Sequence, residues 1–371
     1  MGLALRPHIA PYFSASATMT NEHDRASRAE MIRRIALLGQ GSVVDEGAWR
    51  VLRPADRDQL NLLLVPDAVL NRTEADAIGV TSESQIYGGV APHGFISTKI
   101  ITHGLLLEDA PAPAGWSHAL GKAIAPCVLD GFSVFSVADA RAAGRLLLAS
   151  GSARVKDVDG TSGRGQTEVA SVEALDAAIA ERAPDEIAVK GLVIEENLED
   201  VTTFSVGTVT LFGQSIAYWG TQRLTMNNHG ETVYGGSQLH VVRGGLDALA
   251  QETLAAELAE AVAKATAYDR AVFEAYPGLI ASRRNYDVAF GHNGRGERRI
   301  GVLEQSWRPG GASGAEIAAF EALARDPGRS SVTCATMEVY GEVDAAPPQA
   351  TLYYGGVDPV AGPMTKYAVE L

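Results

Sequence analysis

Gly301-Val302-Leu303-Glu304-Gln305-Ser306-Trp307-Arg308-Pro309-Gly310-Gly311 runs from apolar residues into an acid, a hydroxyl and an arginine at alternate positions. Successive side chains of a strand point to opposite faces, so Glu304, Ser306 and Arg308 share one face. Trp307 takes the other, the face that packs on a core. An acid and a cation together at the end of an apolar strand suit a metal–phosphate centre. The acid holds Mg²⁺ and the planar guanidinium takes phosphate oxygens. The plain alternative is a surface ion pair, which is common and weak.

Far upstream, Arg154-Val155-Lys156-Asp157-Val158 leads into Asp159-Gly160-Thr161-Ser162-Gly163-Arg164-Gly165-Gln166. A strand tipped by a lysine feeds a loop containing three glycines and two hydroxyls. Glycine lets backbone N–H groups converge on phosphate oxygens, and lysine adds a point charge. The alternative is a simple hairpin turn. No Gly-Lys-Ser/Thr follows, so this is not a Walker loop. The lysine precedes the loop and no helix clearly follows, so it is not a dinucleotide-binding fingerprint either.

Together these stretches resemble the ATP-grasp superfamily, over roughly residues 96–311. The resemblance implies that Lys156, Gly160, Ser162, Gly163 and Gly165 meet ATP phosphates. It implies an acidic hinge gripping adenine, here Gly191-Leu192-Val193-Ile194-Glu195-Glu196-Asn197-Leu198, with Glu195, Glu196 and Leu198 as contacts. The first metal acid becomes Asp287, in Tyr286-Asp287-Val288-Ala289-Phe290, and the family's E-x-N-x-R element becomes Glu304 to Arg308. Glu304 and Ser306 then complete the Mg²⁺ ligands, with Arg308 on phosphate. Ser306 departs from the pattern, because a hydroxyl is a poorer Mg²⁺ ligand than an amide. Gln305 could supply an amide oxygen only through a local twist. The ribose-binding glutamate of the family falls near Thr202 and Thr203. Ser97-Thr98-Lys99-Ile100-Ile101-Thr102 with Pro111-Ala112-Pro113 is similar to a family phrase whose lysine reaches ATP phosphate, which gives Lys99 that role. A surface lysine at a helix start is the other reading. Arg284 takes the place of an arginine that steadies an acyl phosphate, or else caps a helix end. The whole chain also resembles a bacterial family carrying the phrases Ser282-Arg283-Arg284-Asn285-Tyr286-Asp287 and Leu303-Glu304-Gln305-Ser306-Trp307-Arg308.

The implied fold class is α/β (α+β), with an N-terminal α/β lobe over 1–95. A central lid subdomain with the glycine loop covers 96–197, and a C-terminal subdomain with the metal site covers 198–371, the two sandwiching ATP. The implied activity is that of an ATP- and Mg²⁺-dependent ligase. A small-molecule carboxylate is activated as an acyl phosphate and attacked by an amine, or by a thiol, to form a C–N (or C–S) bond. The alternatives are a regulatory nucleotide binder without ligase activity and a phosphotransferase on the same site.

Composition narrows the partners. The chain of 371 residues carries 31 Lys and Arg against 45 Asp and Glu, a net charge of −14. Nucleic-acid binding needs basic patches to neutralise phosphates, so nucleic acid is not an expected partner. No apolar run approaches the length of a membrane span, and Met1-Gly2-Leu3-Ala4-Leu5-Arg6-Pro7-His8 lacks a signal-peptide pattern. The expectation is a cytoplasmic enzyme with no membrane partner, and a homodimer is an expected assembly. Cys127 and Cys334 lack metal-ligand spacing and read as buried thiols. The eight histidines form no H-x₃-H pair, which argues against a histidine zinc site.

Along the chain, residues 25–38 read as a helix with Met31, Ile32, Ile35 and Leu38 in an apolar stripe and Gly39 as its stop. Its arginines, Arg28 among them, read as a solvated face. Residues 61–65 form a buried strand. Ser136 caps a helix through Leu148, and Ser171 one through Glu181. Residues 203–211 and 215–219 form a hairpin across Gly213. Residues 221–245 are Gly- and Asn-rich and read as an irregular, substrate-facing segment with Arg223 and His229 as contacts. Residues 247–273 read as one helix. A final hairpin turns at His292-Asn293-Gly294-Arg295-Gly296 and sets Asp287 beside Glu304.

Overall fold

The computed structural model describes residues 6–14, 21–51, 60–160 and 165–371. The chain opens with β1 (His8–Tyr12), a helix over Glu22–Leu38, β2 (Ser42–Val43) and β3 (Leu62–Pro66), which form a parallel sheet in the order β2-β1-β3. The helix starts three residues before the expected 25 and ends at Gly39 as expected. A side chain at Gly39 would lie 2.6 Å from the Phe212 ring, so close approach also selects glycine there. Met31, Ile32 and Ile35 are buried against Ile9, Leu63 and Val65. Next come β4 (Leu70–Asn71) and β5 (Gly89–Ala91), then a short 3₁₀ turn over Lys99–Thr102.

A second sheet holds β6 (Gly131–Val134), β7 (Ala153–Asp157), β8 (Gln166–Val169) and β9 (Leu192–Glu196), antiparallel in the order β6-β9-β7-β8. Helices Val137–Leu148 and Val172–Ala180 share its core through Ala143, Leu147, Leu175 and Ile179. Both start as the sequence predicts. Ser136 Oγ accepts the Asp139 N–H and Ser171 Oγ accepts the Ala174 N–H, supplying acceptors that the first helical turn lacks.

The largest sheet is built from β10 (Glu199–Leu211), β11 (Gln214–Met226), β12 (Thr232–Arg243), β14 (Arg283–His292), β15 (Arg298–Ser306), β16 (Ser331–Tyr340), β17 (Thr351–Asp358) and β18 (Gly362–Glu370). Its order is β15-β14-β10-β11-β12-β16-β18-β17. Helix Ala256–Ala275 packs one face through Val262, Tyr268 and Val272 against Tyr286, Val288 and Val302. Helix Ser313–Arg325 packs the other through Phe320 and Leu323, in a core shared with Tyr218 and Leu239. The intervening β13 (Ile280–Ala281) pairs with β5, tying the C-terminal part of the chain to the N-terminal region.

Two expectations are corrected. Residues 221–245 are not irregular: they belong to the β11–β12 hairpin. Gly and Asn read locally as loop signals, but main-chain pairing with β16 holds β12 as a strand. Gly236 is needed because a side chain there would meet the Thr336 carbonyl oxygen at 2.0 Å. The single helix over 247–273 is two, Leu246–Leu249 and Ala256–Ala275. Cys127 and Cys334 are buried free thiols, as expected. Among the described residues, no helix is long and apolar enough to cross a membrane.

Candidate nucleotide and metal site

The β14–β15 hairpin positions the acids. Its turn closes through Asn293 N–H to Glu297 O (3.0 Å) and Gly296 N–H to Asn293 O (2.8 Å). Gly296 has φ +72°, the left-handed region where a side chain is strained. The resulting register sets Asp287 opposite Glu304 and Asn285 opposite Ser306, with a bulge just after Asp287. Tyr286, Gln305 and Trp307 turn toward helix Ala256–Ala275: Tyr286 bonds Asp269, Gln305 meets Tyr268, and Trp307 lies edge-on to Phe273. Alternation sends Asn285, Asp287, Glu304, Ser306 and Arg308 to the opposite face.

On that face, Asp287 Oδ1 accepts from Asn285 Nδ2 (3.1 Å), Ser205 Oγ (3.2 Å) and Gln222 Nε2 (3.3 Å). Burial raises its pKa, the nearby Glu304 raises it further, and the result is about 6. Glu304 Oε2 is paired with Lys99 Nζ at 2.8 Å, and the same ammonium donates to the Gly160 carbonyl at 2.9 Å. Lys99 is 4 % exposed, which excludes the surface-lysine reading. It lies on the 3₁₀ turn Lys99–Thr102, held to β15 by Gln305 Nε2 donating to Ile96 O (3.0 Å) and Thr98 O (2.6 Å). Arg308 makes no ion pair among the described residues, and its guanidinium reaches the Pro309 carbonyl at 3.2 Å. Burial and Arg283 lower its pKa. The Ser306 hydroxyl makes no hydrogen bond among the described residues.

Lys156, on β7, points into the interior and pairs with Glu195 on the adjoining strand β9. His103 Nε2 lies 3.0 Å from the other Glu195 oxygen. All three are nearly inaccessible. Burial alone would raise the Glu195 pKa, but Lys156 and His103 outweigh it and hold it at about 2. The Glu196 side chain bonds Arg299 Nε (2.7 Å) and the Asp130 N–H (3.0 Å), and the Leu198 side chain packs with Leu129 and Ala289. Both side chains are therefore committed to contacts within the protein. The Leu198 N–H has no partner among the described residues. Gly165 takes φ +71°, with its carbonyl bonded to the Asp157 N–H at 2.8 Å. Ser162 and Gly163 lie outside the described residues.

Arg284 is not beside Asp287. Strand alternation puts it on the helix side, where Nη1 bonds Asp269 at 3.1 Å and its Cζ sits 4.7 Å from the Phe273 ring centre. Arg28 is not simply solvated: it is half-buried, donates to the Pro66 carbonyl at 2.6 Å, and forms no ion pair among the described residues. Burial lowers its pKa, and Arg308 is one of the charges that adds to the effect. His229 is exposed and lies 3.3 Å from the Val360 carbonyl. The sequence reading missed His103, Ser205, Gln222 and Asn285. Only Asn285 had a local signal, two residues before Asp287 on the same strand face.

The side chains gathered at the β14–β15 site are two acids, an amide and a hydroxyl; the carboxylate and hydroxyl oxygens are hard ligands of the type Mg²⁺ prefers, and the amide carries one more such oxygen. No group of three or more His, Cys, Asp or Glu that could hold a metal occurs among the described residues. The like-charge pressure on Asp287 is what a divalent cation would relieve, so these residues fit Mg²⁺.

The arrangement of sheets and the order of these elements define an ATP-grasp fold. Biotin carboxylase from Campylobacter jejuni, solved as a β,γ-ATP complex, superposes with TM-score 0.55 at 10 % identity, covering 99 % of this chain and 88 % of that one. The biotin carboxylase domain of the Hydrogenobacter thermophilus 2-oxoglutarate carboxylase, solved with MgADP, ADP and bicarbonate, gives 0.50 at 11 % identity, covering 99 % and 86 %. No curated protein matches the sequence. The chain belongs to the family described as "Protein of unknown function (DUF3182)", whose model matches residues 12–368.

Proposed function

We propose that this protein is an ATP- and Mg²⁺-dependent ligase that activates a carboxylate for attack by an amine. One observation carries the reading. Asp287 and Glu304 are cross-strand partners on one face, and Lys99 links Glu304 to Gly160 of the glycine loop. The two acids, Lys99 and Gly160 thus lie together.

Asp287, Glu304 and Asn285 or Ser306 would hold Mg²⁺, which when bound spreads the charge that develops on transferring phosphate oxygens. Lys156 and Lys99 orient ATP phosphates. The backbone at Glu196 and Leu198 meets the base. Arg308, a guanidinium without an acidic partner among the described residues, receives the anionic substrate or the phosphoryl group. The substrate carboxylate oxygen attacks the γ-phosphorus and ADP leaves. The amine nitrogen then attacks the acyl carbon, the C–O bond to phosphate breaks, and the nitrogen loses its proton to water. Positioning and electrostatics supply the rate, and no protein nucleophile is required. Arg284 has no part in this scheme.

The replacement of the family's asparagine by Ser306 favours a second reading, a nucleotide binder without ligase turnover. Pools of carboxylates and amines tested for ADP formation, with mass spectrometry of the product, separate the possibilities. An amide with stoichiometric ADP and phosphate supports the ligase. A phosphorylated product supports phosphotransfer. Nucleotide binding with no ADP from any pool supports the second reading, and no adenine nucleotide binding by folded protein refutes the whole assignment.

A further inference from the structure

At the position where the ATP-grasp resemblance implies an asparagine ligand, the metal site has the hydroxyl of Ser306. An amide nevertheless stands directly across the ladder. Asn285 is the register partner of Ser306 and shares the face of Asp287, two residues away. It is 8 % exposed, and one end of its amide lies 3.1 Å from Asp287 Oδ1.

The proton accounting around Asn285 does not close in the present orientation. Nδ2 faces Asp287, and Oδ1 faces the Tyr218 hydroxyl at 3.0 Å. That hydroxyl is also 2.7 Å from Glu316 Oε1. Tyr218 has one proton and would have to donate it to two acceptors. Glu316 has the stronger claim. It is wholly buried and offers no proton to Tyr218, since Tyr87 Oη (2.6 Å), Arg283 Nε (2.9 Å) and Arg283 Nη2 (2.8 Å) all donate to it as well. With the Tyr218 proton on Glu316, the remaining hydroxyl lone pair needs a donor, and the only group of Asn285 that can donate is Nδ2. The two ends of an amide are assigned by such networks. Turned over, Asn285 donates to Tyr218 and aims Oδ1 at Asp287 Oδ1. Two oxygens facing each other at 3.1 Å without a proton between them repel. They are satisfied by a shared cation: neighbouring ligands of an octahedral Mg²⁺, each at about 2.0–2.1 Å, lie about 2.9 Å apart.

We propose that Asn285 supplies the amide oxygen of the Mg²⁺ site in place of the asparagine that Ser306 replaces, the ligand having moved across the strand pair. This rests on the metal reading given under Proposed function. The chain Glu316–Tyr218–Asn285 then acts as the support that fixes the amide's orientation, with Tyr218 and Glu316 as positioning residues.

Mn²⁺ binding to the ADP-saturated protein, measured from the EPR signal of free Mn²⁺, tests this without any turnover. Asn285→Ala is expected to weaken Mn²⁺ binding by about tenfold or more, and Ser306→Asn added to it to restore affinity to within about threefold. Melting temperature and metal-free ADP affinity serve as fold controls, and Asn285→Ser replaces the alanine variant should that fail to fold. Unchanged Mn²⁺ affinity in the Asn285 variants overturns the inference. So does a loss that Ser306→Asn fails to restore, since the amide would then act on the fold and not on the cation. Failure of the wild-type protein to bind Mn²⁺, or binding that Asp287→Asn and Glu304→Gln leave intact, instead overturns the metal reading itself.

Discussion

Lys156→Met removes the cation from an acid that water does not reach. Lys156 is 3 % exposed and Glu195 1 %, so solvent screening does not soften the loss. Burial raises the Glu195 pKa, yet Lys156 and His103 hold it at about 2, below its ordinary 4.5. That difference corresponds to about 3 kcal/mol of folding stability. The sign follows from a depressed acid: the stabilisation is full above pH 4.5 and drains away as pH falls toward 2. Removing one partner of a buried pair costs about 3–5 kcal/mol, and His103 remains as a second partner, so a loss of about 3 kcal/mol at pH 7 is expected. The same lysine is assigned to ATP phosphate, so ADP or ATP affinity should also fall by about 1.5–3 kcal/mol, the worth of a charged hydrogen bond. Urea unfolding followed by tryptophan fluorescence reads the first quantity, and calorimetry with Mg²⁺ the second. Lys156→Met/Glu195→Gln should regain most of the stability and none of the nucleotide affinity. A single variant as stable as wild type at pH 7 would refute the electrostatic reasoning, and one that binds nucleotide normally would refute the phosphate role.

Three further outcomes are expected. Asp287→Asn should abolish ADP formation while raising the melting temperature of the protein in EDTA at pH 8. Burial and Glu304 push Asp287 from its ordinary 3.8 up to about 6, so the destabilisation builds as pH rises between those values and is full above about 6; a relief of about 1–2 kcal/mol is expected at pH 8, and a lower melting point would contradict it. Trp307→Ala should cost about 3–5 kcal/mol in urea unfolding, because the side chain is fully buried against Phe273 and its indole N–H meets the Tyr286 hydroxyl at 3.4 Å. Arg284→Ala should lower stability with kcat within about threefold of wild type, since its guanidinium bonds Asp269 on the far side of the strand; a collapse of kcat with stability unchanged would return it to the reacting centre.

The strand geometry of the candidate site was legible because short-range rules decide it. Alternation along Gly301 to Arg308 placed Glu304, Ser306 and Arg308 on one face, and the Asn-Gly turn at Asn293-Gly294 set Asp287 beside Glu304. Ser136 and Ser171 marked helix starts because a hydroxyl at that position satisfies a backbone N–H wherever the helix lies. Arg284 lies three positions from Asp287, and that odd spacing puts it on the opposite strand face, against Asp269. Residues 221–245 were misread because glycine and asparagine signal turns locally, whereas the ladder with β16 is a long-range partner.

The order of the motifs, the alternation of strand faces and the net charge of −14 follow from composition and from neighbours within a few positions. What each charge meets depends on the packed chain. Lys99 and Gly160 are 61 positions apart, His103 and Glu195 92, and Tyr218 and Glu316 98, yet each pair is in hydrogen-bond contact. A hydrogen bond depends on distance and direction in space, and nothing in the local pattern of a lysine, a tyrosine or an asparagine records which distant group packing will bring within 3 Å of it.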